Sequence, residues 1–149
     1  MPILQDMRAD NVNFNPNAMS YASQTSSYRN MELRSASPER LVVFVFEQLV
    51  INLERARIAM ERNDIELRVT ALRRARGLVG ELLATLDLDN GGALATQLAD
   101  LYQYMMYELV DIGQRGDVRT LRKLVSIATS LRDGFSTAAA QIVDLKKSA

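Results

Sequence analysis

Cysteine, histidine and tryptophan are all absent from this chain of 149 residues. Without cysteine there is no disulfide, no thiolate nucleophile and no sulfur-ligated metal. Without histidine the commonest metal ligand and the commonest general base are missing as well. Catalysis would have to run on carboxylates, lysine, serine or tyrosine, and no Gly-rich phosphate loop, nucleophile elbow or metal-spaced cluster appears. Glu47, Glu54, Glu81 and Glu108 are carboxylates that a helical bundle could gather around a di-metal centre, but that chemistry normally adds a Glu-x-x-His motif. The expectation is a non-enzymatic protein with no cofactor. Charge of one sign is lacking too: 18 basic and 18 acidic residues cancel, which removes the long-range attraction that nucleic acid or an anionic membrane draws on. The longest apolar run, Leu41 to Phe46, has six residues, against the ~20 that span a bilayer. The N-terminus MPILQDMRAD lacks the basic lead and apolar core of a secretory signal. These absences point to a cytoplasmic protein with no nucleic-acid partner and no membrane insertion.

What is present is apolar periodicity, in a chain with 48% hydrophobic residues. Residues 1–36 stand apart: NVNFNPN and SYASQTSSYRN are polar, with scattered Tyr and Met, and bury too little to offset their ordering entropy. They are expected to be a mobile N-terminal segment, with residues 37–149 forming the folded domain. Ser37 reads as a helix cap, Pro38 as the first helical residue and Glu39 as an acid suited to the positive helix end. A first helix from about Pro38 to Arg62 carries Val42, Phe46, Leu49, Leu53, Ala56 and Met60 in 4-3 alternation. A second, after Asn63-Asp64, carries Ile65, Val69, Leu72, Val79, Leu83 and Leu86 and ends before the Asn90-Gly91-Gly92 breaker. A third, from about Ala93 to Gln114, carries Leu94, Leu98, Leu101, Met105, Leu109 and Ile112. Past the Gly116-Asp117 turn, a fourth carries Leu121, Leu124, Ala128, Leu131, Phe135, Ala138, Ile142 and Leu145, the most regular heptad in the chain. Four helices with short connections predict an all-α, antiparallel, up-down-up-down bundle.

The first helix has more oil than one stripe requires. Leu41, Phe44 and Ile51 form a second stripe that continues to Ile58, with Gln48 and Arg55 interrupting it. A helix touching two neighbours explains such a stripe, and so does a groove for an apolar segment of this chain or another protein. A homodimer interface there is the alternative from a different class. In the third helix, LYQYMMYEL spreads Tyr and Met over more than one face. Met105 fits the core, whereas Tyr104 and Tyr107 lie off the main stripe and are candidates for contact with a partner. Arg68, Arg73, Arg74 and Arg76 spread around the second helix as a solvated face does. Gly77 and Gly80, each costing ~1 kcal/mol relative to Ala in a helix, suit either close approach by another chain or a softer helix.

The stretch YRNMELRSASP followed by LVVFVFEQ resembles the flagellin-specific export chaperones, the FliS family. Tyr28, Ser35-Ala36-Ser37-Pro38 and Phe46-Glu47-Gln48 match that family's Tyr, its T-A-S-P segment and its Tyr-acid-Gly step. Asn63-Asp64, Leu72, Ala75, Glu81-Leu82, Thr85-Leu86, Tyr102 with Tyr104 and Met105, and Arg132-Asp133 extend the resemblance over residues 28–137. The chain departs from the pattern at Phe46, which lacks the hydroxyl, at Gln48 in place of Gly, and at Phe135 where Trp is common. Its N-terminal extension is also longer. The resemblance implies a cytoplasmic chaperone that holds the disordered C-terminal segment of flagellin in apolar grooves and passes it to the flagellar export apparatus. It further implies that the segment from Tyr28 to Leu33 covers part of the groove until the client docks. Leu41, Phe44, Ile51, Tyr104 and Tyr107 are then the candidate groove residues.

Because the periodic positions all lie beyond Ser37, removing residues 1–27 is expected to leave the helical circular dichroism and the melting midpoint nearly unchanged. A large drop in the midpoint would show that the extension belongs to the core.

Overall fold

The computed structural model describes residues 36–148. The expectations for the N-terminal segment, including Tyr28 and Leu33, lie outside those residues. Four helices follow in order: α1 (Pro38–Glu61), α2 (Ile65–Ala84), α3 (Gly92–Arg115) and α4 (Val118–Ser148). There is no strand among the described residues.

Local chemistry sets each boundary. The Ser37 side chain accepts from the Arg40 amide at the start of α1, with Pro38 in the first turn, where its missing N–H costs nothing. Asn63 takes a left-handed φ of 56° between α1 and α2, a conformation Asn tolerates better than most residues. Asp64 then caps α2 by accepting from the Leu67 amide at 3.1 Å. Gly116, at φ 70°, ends α3 in the left-handed region where a Cβ would be strained. Asp117 begins α4 by accepting from the Arg119 amide at 3.0 Å and the Thr120 hydroxyl at 2.8 Å. These bonds favour the charged form and hold the Asp117 carboxyl below its ordinary range, the Thr120 hydroxyl contributing most.

The helices pack as an antiparallel up-down-up-down bundle. α1 lies between α2 and α4, α2 also packs on α3, and α3 and α4 pack on each other more sparsely. Phe46, Leu49, Leu53 and Ala56 of α1 are fully buried against Leu72, Ala75 and Val79 of α2, Met105, Leu109 and Ile112 of α3, and Leu121 and Leu124 of α4. Met105 sits in the core, as its place on the stripe requires. At the centre Phe46 stacks on Phe135 of α4, with ring centroids 5.1 Å apart, and meets Tyr102 of α3 at 6.3 Å. Arg122 of α4 reaches Glu61 of α1 at 3.6 Å at the opposite end.

The predicted stripes hold over much of each helix and fail mainly at the ends, and on α4 the buried line shifts from the predicted Ala138, which is exposed, to Ala139. Leu94 and Ile65, in the first turns of α3 and α2, are exposed. Leu145 is 71% exposed, because the antiparallel register brings α4 level with the start of α1 before α4 finishes, and Lys146 already stands near Glu39. Val69 is exposed in a groove that α2 shares with Val110 of α3. On α2 the buried line passes through Leu72, Ala75, Val79 and Leu82, leaving Leu83 half-buried. Tyr102 takes the buried position beside Leu101 on α3.

Position within the heptad therefore does not by itself set energetic weight. Leu124→Ala is expected to cost about 2–5 kcal/mol in urea unfolding, as large-to-small changes in packed cores do. Leu145→Ala, at an equivalent heptad position, should change stability by less than about 0.5 kcal/mol.

Candidate functional site

The buried line of α1 is incomplete over its first two turns. Phe46 and the core residues after it are fully buried, but Leu41 remains 39% exposed, and Val42 and Val45 are half-buried. Antiparallel packing sets these residues against the last turn of α2, where the helix ends at Ala84 and the chain leaves through residues 85–91. A cavity of about 400 Å³ opens between them. Its walls are Leu41 and Val45 on α1 with Leu82 and Leu86 at the end of α2, and its floor includes Tyr102 and Phe135. Those two rings are the ones that meet Phe46, so the floor rests on the centre of the core. Glu81 and Thr85 bring the only polar side chains besides the Tyr102 hydroxyl among the described residues lining it.

Burial pushes the Tyr102 phenol up to about 12, so it is a neutral hydrogen-bond donor at any physiological pH. It makes no hydrogen bond to another described residue. At the entrance to α1 the Glu39 carboxyl is held below the ordinary carboxylate range by its own backbone amide, then by Ser37 and more weakly by Lys146.

Leu41 alone of the predicted groove residues lines this cavity. Phe44 is half-buried, and Ile51, 39% exposed, lies on the outer side of α1, away from the Phe46–Leu53 line. Tyr104 and Tyr107 are 43% and 71% exposed on α3. At about 100° per residue they point away from Tyr102, so they occupy a separate surface. The structure thus assembles Leu41 with Val45, Leu86, Tyr102 and Phe135, residues whose spacing marks them simply as helix filling. The available signal was position: an apolar residue near the end of one helix, facing the end of another, has fewer neighbours to bury it. Glu47, Glu54, Glu81 and Glu108 do not converge, and among the described residues no group of acids is placed to hold a metal ion. No described helix is long and apolar enough to cross a membrane.

The family model described as "Flagellar protein FliS" matches residues 19–142. The chain is 30% identical over 102 residues to the flagellar secretion chaperone FliS of Salmonella typhimurium, covering 68% of this chain and 76% of that one. It is 31% identical over 104 residues to the flagellar secretion chaperone FliSB of Pseudomonas aeruginosa, covering 70% and 82%. A solved structure described as a flagellar chaperone from bacteria superposes with a TM-score of 0.66 at 16% identity, covering 79% of this chain and 98% of that one. At that identity the likeness concerns the fold.

The buried phenol sets an alkaline limit on stability. Below about pH 10 both folded and unfolded chains keep the Tyr102 proton. Between the ordinary value of 10.0 and about 12 the unfolded chain releases it while the folded chain does not, so stability is lost as pH rises through that window. The loss is at most about 3 kcal/mol. Denaturant unfolding at pH 9 and pH 11 should show a drop in the native chain that Tyr102→Phe visibly reduces. Identical drops would mean that Tyr102 is not the group responsible.

Proposed function

The chain belongs to the FliS family of flagellar secretion chaperones, and from that premise we propose that it binds the C-terminal segment of flagellin and keeps it from polymerising before export. The observation that carries this reading is the apolar cavity against which Leu41 stands, open at the surface and floored by Tyr102 and Phe135. An apolar side chain of a client entering it gains the burial that α1 and α2 do not provide for each other. Tyr102 supplies a donor for a client carbonyl at the same place. The protein acts without catalysis or cofactor, in the cytoplasm, by occupying client surface that would otherwise associate, and it passes the client to the flagellar export apparatus.

Leu41 anchors the client in the cavity. Phe44 and Ile51 continue the contact along the outer side of α1, while Tyr104 and Tyr107 serve an extended client that reaches α3 as well. In the same proposal the segment from Tyr28 to Leu33 covers the groove before the client arrives. Cover and client compete for one surface, so apparent affinity falls with the fraction of time the groove is closed.

Leu41→Asp tests the groove. Losing an anchor worth ~1.5–3 kcal/mol and burying a carboxylate should weaken binding of a flagellin C-terminal peptide by at least about ten-fold in calorimetric titration. The melt should stay intact, since Leu41 is already two-fifths exposed. Unchanged affinity would place the client elsewhere. Amide exchange tests the cover: residues 28–34 should lose protection when the peptide is added, and gain or constancy there would count against displacement.

A further inference from the structure

A second groove lies between the middle of α1 and the middle of α2, on the far side of Glu81 from the apolar cavity. It measures about 370 Å³ and is lined by Gln48, Asn52 and Arg55 of α1 with Arg74, Gly77, Leu78 and Glu81 of α2. Gln48 and Arg55 are the residues that break the second apolar stripe of α1, so the interruption coincides with this groove.

Three features of it are costly for the chain by itself. Asn52 is only 4% exposed and is the one polar residue buried among the described residues. Its Nδ2 donates to the Gln48 carbonyl at 2.8 Å, which fixes the orientation of the amide, and its Oδ1 is then left buried with no donor. A buried acceptor without a partner is destabilising, and an apolar residue of similar shape would be better tolerated there. Arg55 and Arg74 line the same end of the groove, and neither has an ion pair or hydrogen bond among the described residues. Arg73 beside them makes no ion pair or hydrogen bond among the described residues either, so positive charge collects at this end of the groove. Gly77 weakens the middle of α2 although its missing side chain makes room for nothing in this chain: a Cβ there would meet no atom within 4 Å.

We infer that this α1–α2 groove docks an acidic polypeptide segment of a partner protein, which donates a backbone N–H to Asn52 Oδ1, approaches α2 closely over Gly77 and places carboxylates between Arg55 and Arg74. A polypeptide is specified because the groove needs both a donor and an anion. A single inorganic phosphate, although its hydroxyl can donate, fills only a small part of a groove of about 370 Å³ and does not extend along Gly77 as a polypeptide does. Glu81 at the other end fixes the direction, since the acidic side chains of the segment must lie away from it. The inference stands on residues distinct from the flagellin cavity, except for Glu81, and does not depend on flagellin being the client.

The test uses the full-length ¹⁵N-labelled chain and three probes: a capped 12-residue peptide of alternating Glu and Ala, the same peptide with Gln for Glu, and inorganic phosphate. The Glu peptide should shift the Asn52 side-chain amide, the Gly77 amide and the Arg55 and Arg74 side-chain signals together. The Gln peptide should bind at least ten-fold more weakly, and phosphate should leave Gly77 unmoved. Gly77→Ala and Asn52→Leu should each raise the melting midpoint and each lower affinity for the Glu peptide at least ten-fold, a combination that damage to the fold cannot produce. Arg55→Gln with Arg74→Gln should abolish the response to the Glu peptide. A Glu peptide that leaves Asn52 and Gly77 unshifted overturns the inference, as does phosphate that reproduces its shifts. Undiminished affinity in Gly77→Ala overturns it too. Flagellin C-terminal peptide added to the saturated chain should still shift the Leu41 and Tyr102 signals of the first cavity, even where it loses its contact at Ile51 between Gln48 and Arg55, which separates the two sites.

Discussion

Phe46 is the contact on which the rest of the arrangement depends. Its ring lies in α1, stacks on Phe135 of α4 and meets Tyr102 across the bundle on α3, so one buried side chain sets the spacing of three helices. α2 closes the remaining side through Ala71, Ala75 and Val79, small residues that let it lie close to α1. With no disulfide and no metal ligand pair of the usual kind in the sequence, burial of apolar surface has to hold the fold. The surface ion pairs, such as Arg57 with Glu54 and Glu61 on α1, add little in water.

The same contact shapes the apolar cavity. Tyr102 and Phe135 are held from behind by Phe46, and their other sides form the cavity floor. The site is thus the core continued to the surface where α1 and α2 stop covering each other, and it needs no loop or hinge of its own. A rigid floor with an incomplete wall is suited to an apolar segment that arrives unfolded, because less ordering of the protein has to accompany the ordering of the ligand. Leu41, Val42 and Val45 remain partly open because α2 ends at Ala84 and does not cover the first turns of α1.

α2 shows the opposite economy of design. Gly77 and Gly80 weaken it, Arg73 and Arg74 stand unpaired beside each other, and the facing residue of α1 is a buried Asn with an unanswered oxygen. A helix selected for stability alone would place Ala, mixed charges and an apolar residue at those positions. Asn52, Arg74 and Gly77 line one groove, which gives these three a common physical cause in a way that scattered imperfections would not have.

The sequence by itself determined the fold class, the four helices and most of their ends, because these rest on local rules: apolar spacing near 3.6, Ser37 at a cap and Gly116 in a turn; the end of α2 at Ala84, short of the Leu86 that periodicity assigns to it, was not legible. The resemblance carried by Tyr28, the Ser-Ala-Ser-Pro segment and Phe46-Glu47-Gln48 likewise lay open in the sequence and gave the family. Tertiary structure alone decided which stripe residues are buried. Periodicity treats Leu124 and Leu145 as equivalents, yet one is enclosed and the other is exposed, since register and relative helix length are properties of pairs. It also decided that Leu41 shares a cavity with Leu86 and Phe135 while Tyr104 and Tyr107 face elsewhere, and that Asn52 is buried opposite a bare glycine. A single helix pattern tells which side of a residue is apolar; only the neighbouring helices settle how far along that side the cover extends.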